Sequence, residues 1–302
     1  MDPDGPGGHH PGRRLCHQGA WDPMNREQVS RVLQQHGALM VLGMLVIVGS
    51  LAFDSFAKPE NAASVVVSSS FLAIIAIGMT FVIISGGIDL SVGSLFVLGG
   101  VLAAYGSQYG LVVALLLPLA VCGLVGLLQG LVIARTGMAP FIVTLAGLLG
   151  VRGLMLAISD EGAITYLVKD RAFATLGQGE VLGLSYPVYI TIALALAAMV
   201  LLQRTGFGQN VYAIGGNEQA AALMGVPVPR TKVYVYFMSG LLAGLAGALN
   251  AARLSSGVTI LGIGLELDAI AAVVIGGTLL TGEPGGSRGR WPGCCCSGSS
   301  RA

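Results

Sequence analysis

The chain has 302 residues, 54% of them hydrophobic and only 10% charged, with a mean hydropathy of +0.79. Average soluble domains carry about 25% charged residues, so a water-facing surface for the whole chain is excluded. A net charge of +1, with no basic stripe interleaved with aromatics, excludes a nucleic-acid partner. The 46 Gly suit helices packed closely in a bilayer, where small side chains let backbones approach. The five Cys form no disulfide framework and no zinc-ligand spacing.

Residues 1–36 read as a polar, cytoplasmic N-terminal segment. Its first 23 residues are rich in Gly, Pro and His and lack the apolar core of a signal peptide. His9 and His10 read as solvated tail, and Met24 as the true start, because Met24-Asn-Arg-Glu-Gln-Val-Ser-Arg makes an ordinary lead-in to a first span. A transmembrane domain then fills residues 37–282. A spanning helix needs about 20 apolar residues, which predicts eight spans: Gly37–Phe56, Ala62–Ser85, Ser91–Tyr105, Leu111–Ala134, Pro140–Ile158, Tyr186–Leu202, Val233–Ala252 and Leu267–Thr281. The fold class is therefore all-α, a polytopic helical bundle with broken helices near Gly86–Asp89. The third and eighth spans are short, as expected of helices that begin inside the membrane. Arg26, Arg31, Arg135, Arg204, Arg230 and Lys232 all fall on one side of this count. The opposite loop, Ser159–Ser185, is richer in Asp and Glu, so the N-terminus is expected in the cytoplasm.

Irregular backbone in a bilayer is tolerated only inside protein or beside a wet cavity. The run Ile84-Ser-Gly-Gly-Ile-Asp-Leu-Ser-Val-Gly93 therefore marks a candidate solute pathway, with Asp89 and Ser91 at its centre. Asp89 and Ser91 could equally cap the helix that follows, and span counting puts Asp89 near a membrane face. Glu266 and Asp268 open the eighth span, either complementing its dipole or lining an outer mouth with Ser255. A faint echo of the Gly-Gly run recurs at Ile275-Gly-Gly-Thr-Leu-Leu-Thr-Gly282. The small-xxx-small faces Gly126–Gly130 and Gly240–Gly244 read as helix packing.

Between the sixth and seventh spans, Gly215-Gly-Asn-Glu-Gln-Ala-Ala-Ala-Leu-Met-Gly-Val-Pro227 has its own local design. Asn217 is a good N-cap, Glu218 to Ala221 favour helix, and Gly225 with Pro227 ends it. The predicted helix of about two turns needs something to dock on. Nucleophile–base pairs and phosphate-gripping loops are absent from the sequence, so the chain is not expected to be an enzyme. Any motor driving it must be another polypeptide.

Two segments resemble the ribose-type sugar permeases of bacterial ABC importers, within the branched-chain amino acid and monosaccharide permease superfamily. They are Ala76-Ile-Gly-Met-Thr-Phe-Val-Ile-Ile-Ser-Gly-Gly-Ile-Asp-Leu-Ser-Val-Gly-Ser94 and Tyr212-Ala-Ile-Gly-Gly-Asn-Glu-Gln-Ala-Ala-Ala-Leu-Met-Gly-Val226. Ala252-Arg-Leu-Ser-Ser256 and the run from Glu266 to Thr278 also match. The resemblance implies a permease subunit in the bacterial inner membrane that forms the pathway for a monosaccharide, with no cofactor of its own. It implies ATPase subunits that hydrolyse ATP, a periplasmic sugar-binding protein and a second permease copy or paralogue. In that family the loop matching Gly215, Gly216, Asn217, Glu218, Ala221 and Gly225 couples to the ATPase. An ion-coupled secondary carrier using Asp89 is the alternative.

After Gly282 the likeness is expected to stop. Residues 283–302 read as an aberrant tail produced by a frameshift near Glu283. Shifted by one base, the codons of Trp291-Pro and Cys294-Cys-Cys yield Ala and Leu, so the triple Cys reads as an out-of-frame span. Without the final spans the chain is expected to assemble or transport poorly.

Overall fold

A computed structural model describes residues 42–53, 58–160, 164–181, 183–259 and 262–276. The N-terminal segment with its proposed start at Met24, the tail 283–302, and the second half of the Gly-Gly echo lie outside the described residues. Five helices are long and apolar enough to cross a bilayer: α2 (Pro59–Ile84), α4 (Leu111–Thr136), α5 (Pro140–Ile158), α7 (Tyr186–Arg204) and α10 (Val228–Leu254). Shorter helices are α1 (Leu42–Ala52), α3 (Val92–Gly106), α6 (Arg171–Gln178), α8 (Gly206–Gly216), α9 (Glu218–Leu223) and α11 (Leu265–Ile275). The eight predicted spans thus coincide with α1, α2, α3, α4, α5, α7, α10 and α11. Helix α1 belongs to a separate unit of the chain, residues 1–56.

Helix α10 is the axis of the second unit and packs against α4, α3 and α2. Buried residues make up 72% of its most apolar window, against 17% for α7, so α10 is core and α7 is shell. Close approach is made by glycine. A Cβ on Gly240 would stand 2.5 Å from Cys122 O, and one on Gly126 would run into Tyr236 O. The two small-residue faces foreseen in the sequence therefore meet each other. Dispersion and close packing hold such a pair together, because lipid gives apolar helices no hydrophobic reason to associate.

Two breaks return the chain into the bundle from opposite ends. After α2, Gly86 takes φ +79° and Gly87 N–H donates to Val82 O at 3.0 Å. The chain then runs back inward to Asp89, which meets Ser239 of α10. Ser239 lies eleven residues into α10 from Val228, which is about 16 Å at 1.5 Å per residue. Span counting placed Asp89 near a membrane face because it assumed that the chain keeps moving one way; the turn at Ser85–Gly87 reverses it. The short third span is explained by the same reversal, since α3 starts inside the bundle.

The second break follows α10. Ser255 is left-handed (φ +54°), and strand β4 (Ser256–Gly257) pairs antiparallel with β1 (Tyr166–Leu167), Tyr166 opposite Gly257. Gly257 lies beside Val101 and Ala104, whereas Gly262 lies beside Gly93 and Val97. The segment therefore descends along α3 in the opposite sense, and α11 begins next to the start of α3.

The region Ser159–Ser185 contains more than a loop. Helix α6 is capped by Asp170, whose Oδ1 accepts from Ala172 N–H at 2.9 Å, and drives Phe173 (0% exposed) between Ala103, Ala114, Ala248 and Ala251. Strands β2 (Glu180–Val181) and β3 (Leu184–Ser185) form a small hairpin that leads into α7.

Candidate functional site

At one end of the bundle, α9 is built as its sequence foretells. Asn217 Oδ1 accepts from Ala220 N–H at 2.9 Å, satisfying a donor of the first turn. At the other terminus Gly225 has φ +84°; its N–H donates to Ala222 O and Val226 N–H to Ala221 O, both at 3.0 Å. That paired closure is a Schellman motif, with Ala221 and Val226 in apolar contact beneath it. Glu218 receives Lys232 Nζ at 2.7 Å, which tethers α9 to the first turn of α10. Leu223 and Met224, 90% and 79% exposed, project from the tip. A cavity of about 860 Å³ lies alongside, bounded by Ser85 and Gly86 of the first break, Gly137 of the α4–α5 turn, and Gly215, Gly216 and Asn217.

Asp89 sits deeper and is sealed. Its Oδ1 accepts from Ser91 N–H at 2.9 Å and Ser91 Oγ at 2.6 Å; its Oδ2 accepts from Ser239 Oγ at 2.7 Å. Both Asp89 oxygens are thus occupied by groups of the protein itself. Ser91 has one hydroxyl proton, committed to Asp89. The Gln129 amide 3.0 Å from Ser91 Oγ must therefore present a donor, which turning the amide end for end provides and which gives the buried Nε2 a partner. Thr144 Oγ1 lies 3.0 Å from Pro140 O of its own helix and 3.2 Å from Ile88 O of the break. Asp89 thus joins the break to α10, and Ser91 joins it to α4. Ser91, the residue before α3, makes no side-chain cap, whereas Asp89 takes up the Ser91 N–H at the start of that helix; both are 0% exposed.

The remaining pathway candidates occupy different surroundings. Ser255 Oγ receives Gln178 Nε2 at 2.8 Å, and Gln178 also donates to Arg253 O at 3.1 Å, tying α6 over the end of α10. Arg253 reaches Ser64 and Ser68 of α2, and with Glu60, Gln178 and Glu180 it borders a groove of about 570 Å³. Glu266 is half-buried beside Gly93 and lines a smaller cavity with Ser94 and Arg152. Asp268 is exposed, one turn from the left-handed Gly264. The five residues are therefore not one site: Asp89 and Ser91 form a buried knot, Ser255 belongs to the α6 end, and Glu266 faces a cavity. Sequence reading passed over Ser239, Gln129 and Arg152. Gln129 and Arg152 were discoverable as isolated polar residues in apolar runs, whereas Ser239 carries no such mark.

Residues 61–296 match the family described as branched-chain amino acid transport system / permease component. This chain belongs to that permease family. The last matched residue lies beyond Gly282, where the likeness was expected to end. The permease is 43% identical over 257 residues to the ribose import permease of Bacillus subtilis (strain 168), covering 84% of this chain and 80% of the relative. It is 39% identical over 258 residues to the ribose import permease of Escherichia coli (strain K12), with the same two shares. To the L-arabinose ABC transporter permease of Azospirillum brasilense it is 38% identical over 259 residues, 85% of this chain and 76% of the relative. No solved structure matches. The family and the five apolar helices make this a multi-pass protein of the bacterial inner membrane, a transport subunit and not an enzyme.

Proposed function

We propose that this permease forms the pathway by which a monosaccharide of the pentose class enters the cell, driven by a separate ATPase that hydrolyses ATP. The names of its relatives, ribose and L-arabinose permeases, support the substrate class. The observation that carries the mechanism is α9, a six-residue helix too short to persist in water on its own. It is pinned from behind by Asn217, Glu218–Lys232 and the Gly225 closure, yet leaves Leu223 and Met224 bare. A rigid base with an apolar tip is a docking knob, and burial of two such side chains is worth about 3–6 kcal/mol to an interface. The ATPase is its partner, and α10 is the lever that carries the motion inward.

On this reading the α9 end is cytoplasmic, as is the N-terminus, in keeping with Arg135, Arg204, Arg230 and Lys232 around it. A periplasmic sugar-binding protein delivers substrate at the α6 end, and a second permease copy covers the exposed faces of α5 and α7. The permease itself needs no cofactor. The ion-coupled carrier loses its basis, because the oxygens of Asp89 are taken up by protein donors. Replacing both Leu223 and Met224 with Asp should reduce ATPase co-purification at least tenfold while the permease still accumulates in the membrane. Undiminished co-purification would sink the docking role.

A further inference from the structure

We propose that Tyr236 is a positioning residue of the transport cycle: the first break has two seats on α10, and Asp89 passes from the Ser239 hydroxyl to the Tyr236 hydroxyl as the ATPase moves α9. The proposal rests on the importer reading above. Its starting point is a buried phenol with nothing to bond to. Tyr236 is 1% exposed, and its Oη has no hydrogen-bond partner among the described residues. A polar group taken out of water without a partner destabilises the state in which it is found, and most native ones are paired. The hydroxyl is pressed against the break, since a Cβ on Gly87 would collide with Tyr236 Oη. Gly87 is two residues from Asp89, at most about 7 Å of chain, so the carboxyl is one short movement away.

The break and α10 run side by side. Gly86 and Lys232 border the cavity at the α9 end, Gly87 meets Tyr236, and Asp89 meets Ser239. Tyr236 precedes Ser239 by three residues, about 4.5 Å of helix, and both hydroxyls face the break. An exchange of seats therefore carries Asp89 by about one turn toward the cavity. The backbone permits it: residues 87–90 lie outside any helix, and Gly86 stands at φ +79°.

Asp89 accepts from a hydroxyl of α10 in either seat, so one bond is traded for another and the two states lie close in free energy. In the first seat the unpaired group is the Tyr236 phenol. In the second it is Ser239, whose hydroxyl turns back to a carbonyl one turn earlier on its own helix. The drive comes from the α9 end. Lys232, one turn before Tyr236, is bonded to Glu218 of α9 at 2.7 Å, so force on α9 enters α10 beside the second seat. A partner shifts an equilibrium only through contacts that differ between its states, and the docking of α9 supplies them.

The test uses the complete transporter, permease with ATPase and binding protein. Melting temperature is read without nucleotide and again with ATP and vanadate, which arrests the ATPase; uptake of radiolabelled D-ribose and L-arabinose is measured in proteoliposomes. The two substitutions should act on opposite states. Ser239→Ala should lower the melting temperature by about 2 °C or more in one condition and leave the other unchanged, and Tyr236→Phe should do the reverse. Tyr236→Phe should also lower uptake about fivefold, the size of one net hydrogen bond. A Tyr236→Phe that lowers both melting temperatures alike, lowers neither, or lowers the same one as Ser239→Ala overturns the second seat and leaves the importer reading standing. Where Tyr236→Phe does not accumulate, Ser239→Ala decides, and equal loss in both conditions overturns the exchange. A parent complex that binds its ATPase but moves neither sugar overturns the importer reading, and the exchange with it.

Discussion

At Ser85–Ser91 the polar side chains brought into the bundle are matched by partners: Ser85 donates to Val82 O at 2.8 Å, and Asp89 and Ser91 are tied to α10 and α4. At Ser255–Gly264 the chain also turns inward, but through three left-handed residues, and it ends at a Glu266 carboxylate facing open space. The two segments solve the same problem, starting a helix away from the membrane surface. One closes Asp89 and Ser91 with hydrogen bonds and seals both from solvent. The other leaves the Glu266 oxygens without a hydrogen bond among the described residues, beside a cavity. An acid in a membrane protein therefore cannot be assigned to a pathway by depth alone; what distinguishes the cases is whether its oxygens are already satisfied.

Removing the carboxylate from the closed break should have the largest effect. Asp89→Ala strips the acceptor from two hydroxyls and a backbone N–H, and hydrogen bonds to charged groups contribute about 1.5–3 kcal/mol each. A loss of about 3–5 kcal/mol is expected, seen as a large fall in melting temperature in detergent and in membrane abundance. A parental melting temperature would mean that the knot does not hold the break. Gly262→Ala should cost about 2 kcal/mol, because φ +80° disfavours any Cβ and this one would lie 2.8 Å from Val97 Cγ2. Ser239→Ala removes one donor and should cost about 1–1.5 kcal/mol. Combined with Asp89→Ala it should add almost nothing, since the bond is already gone; full additivity would place Ser239 outside the knot. The smallest stability change, under about 0.5 kcal/mol, is expected for Glu266→Gln, because it keeps the shape of the side chain and breaks no hydrogen bond among the described residues. Glu266→Gln melting far below the parent would make the two breaks alike.

The spans were legible because lipid forces long apolar runs, and the breaks because Gly86-Gly87 interrupts one of them. Helix α9 was legible to its last residue: Asn217 and Gly225 are the residue types that a cap and a left-handed closure require. The depth of Asp89 was not legible, because its partner Ser239 lies 150 residues further on, and Gln129, which holds the neighbouring Ser91, lies 38 beyond it. Only folding brings them to it. Helix α6 was missed because one Phe173 anchors it, and one aromatic makes no period. Arg152 stood in plain view inside an apolar run, but Glu266, which lines the same cavity, is far away in the chain and was read as a dipole complement or part of an outer mouth.

The bare tip formed by Leu223 and Met224 has a consequence for the living cell. On the docking reading proposed above, a copy without its companion keeps both side chains in water, so joining the motor and hiding this oily tip are a single event.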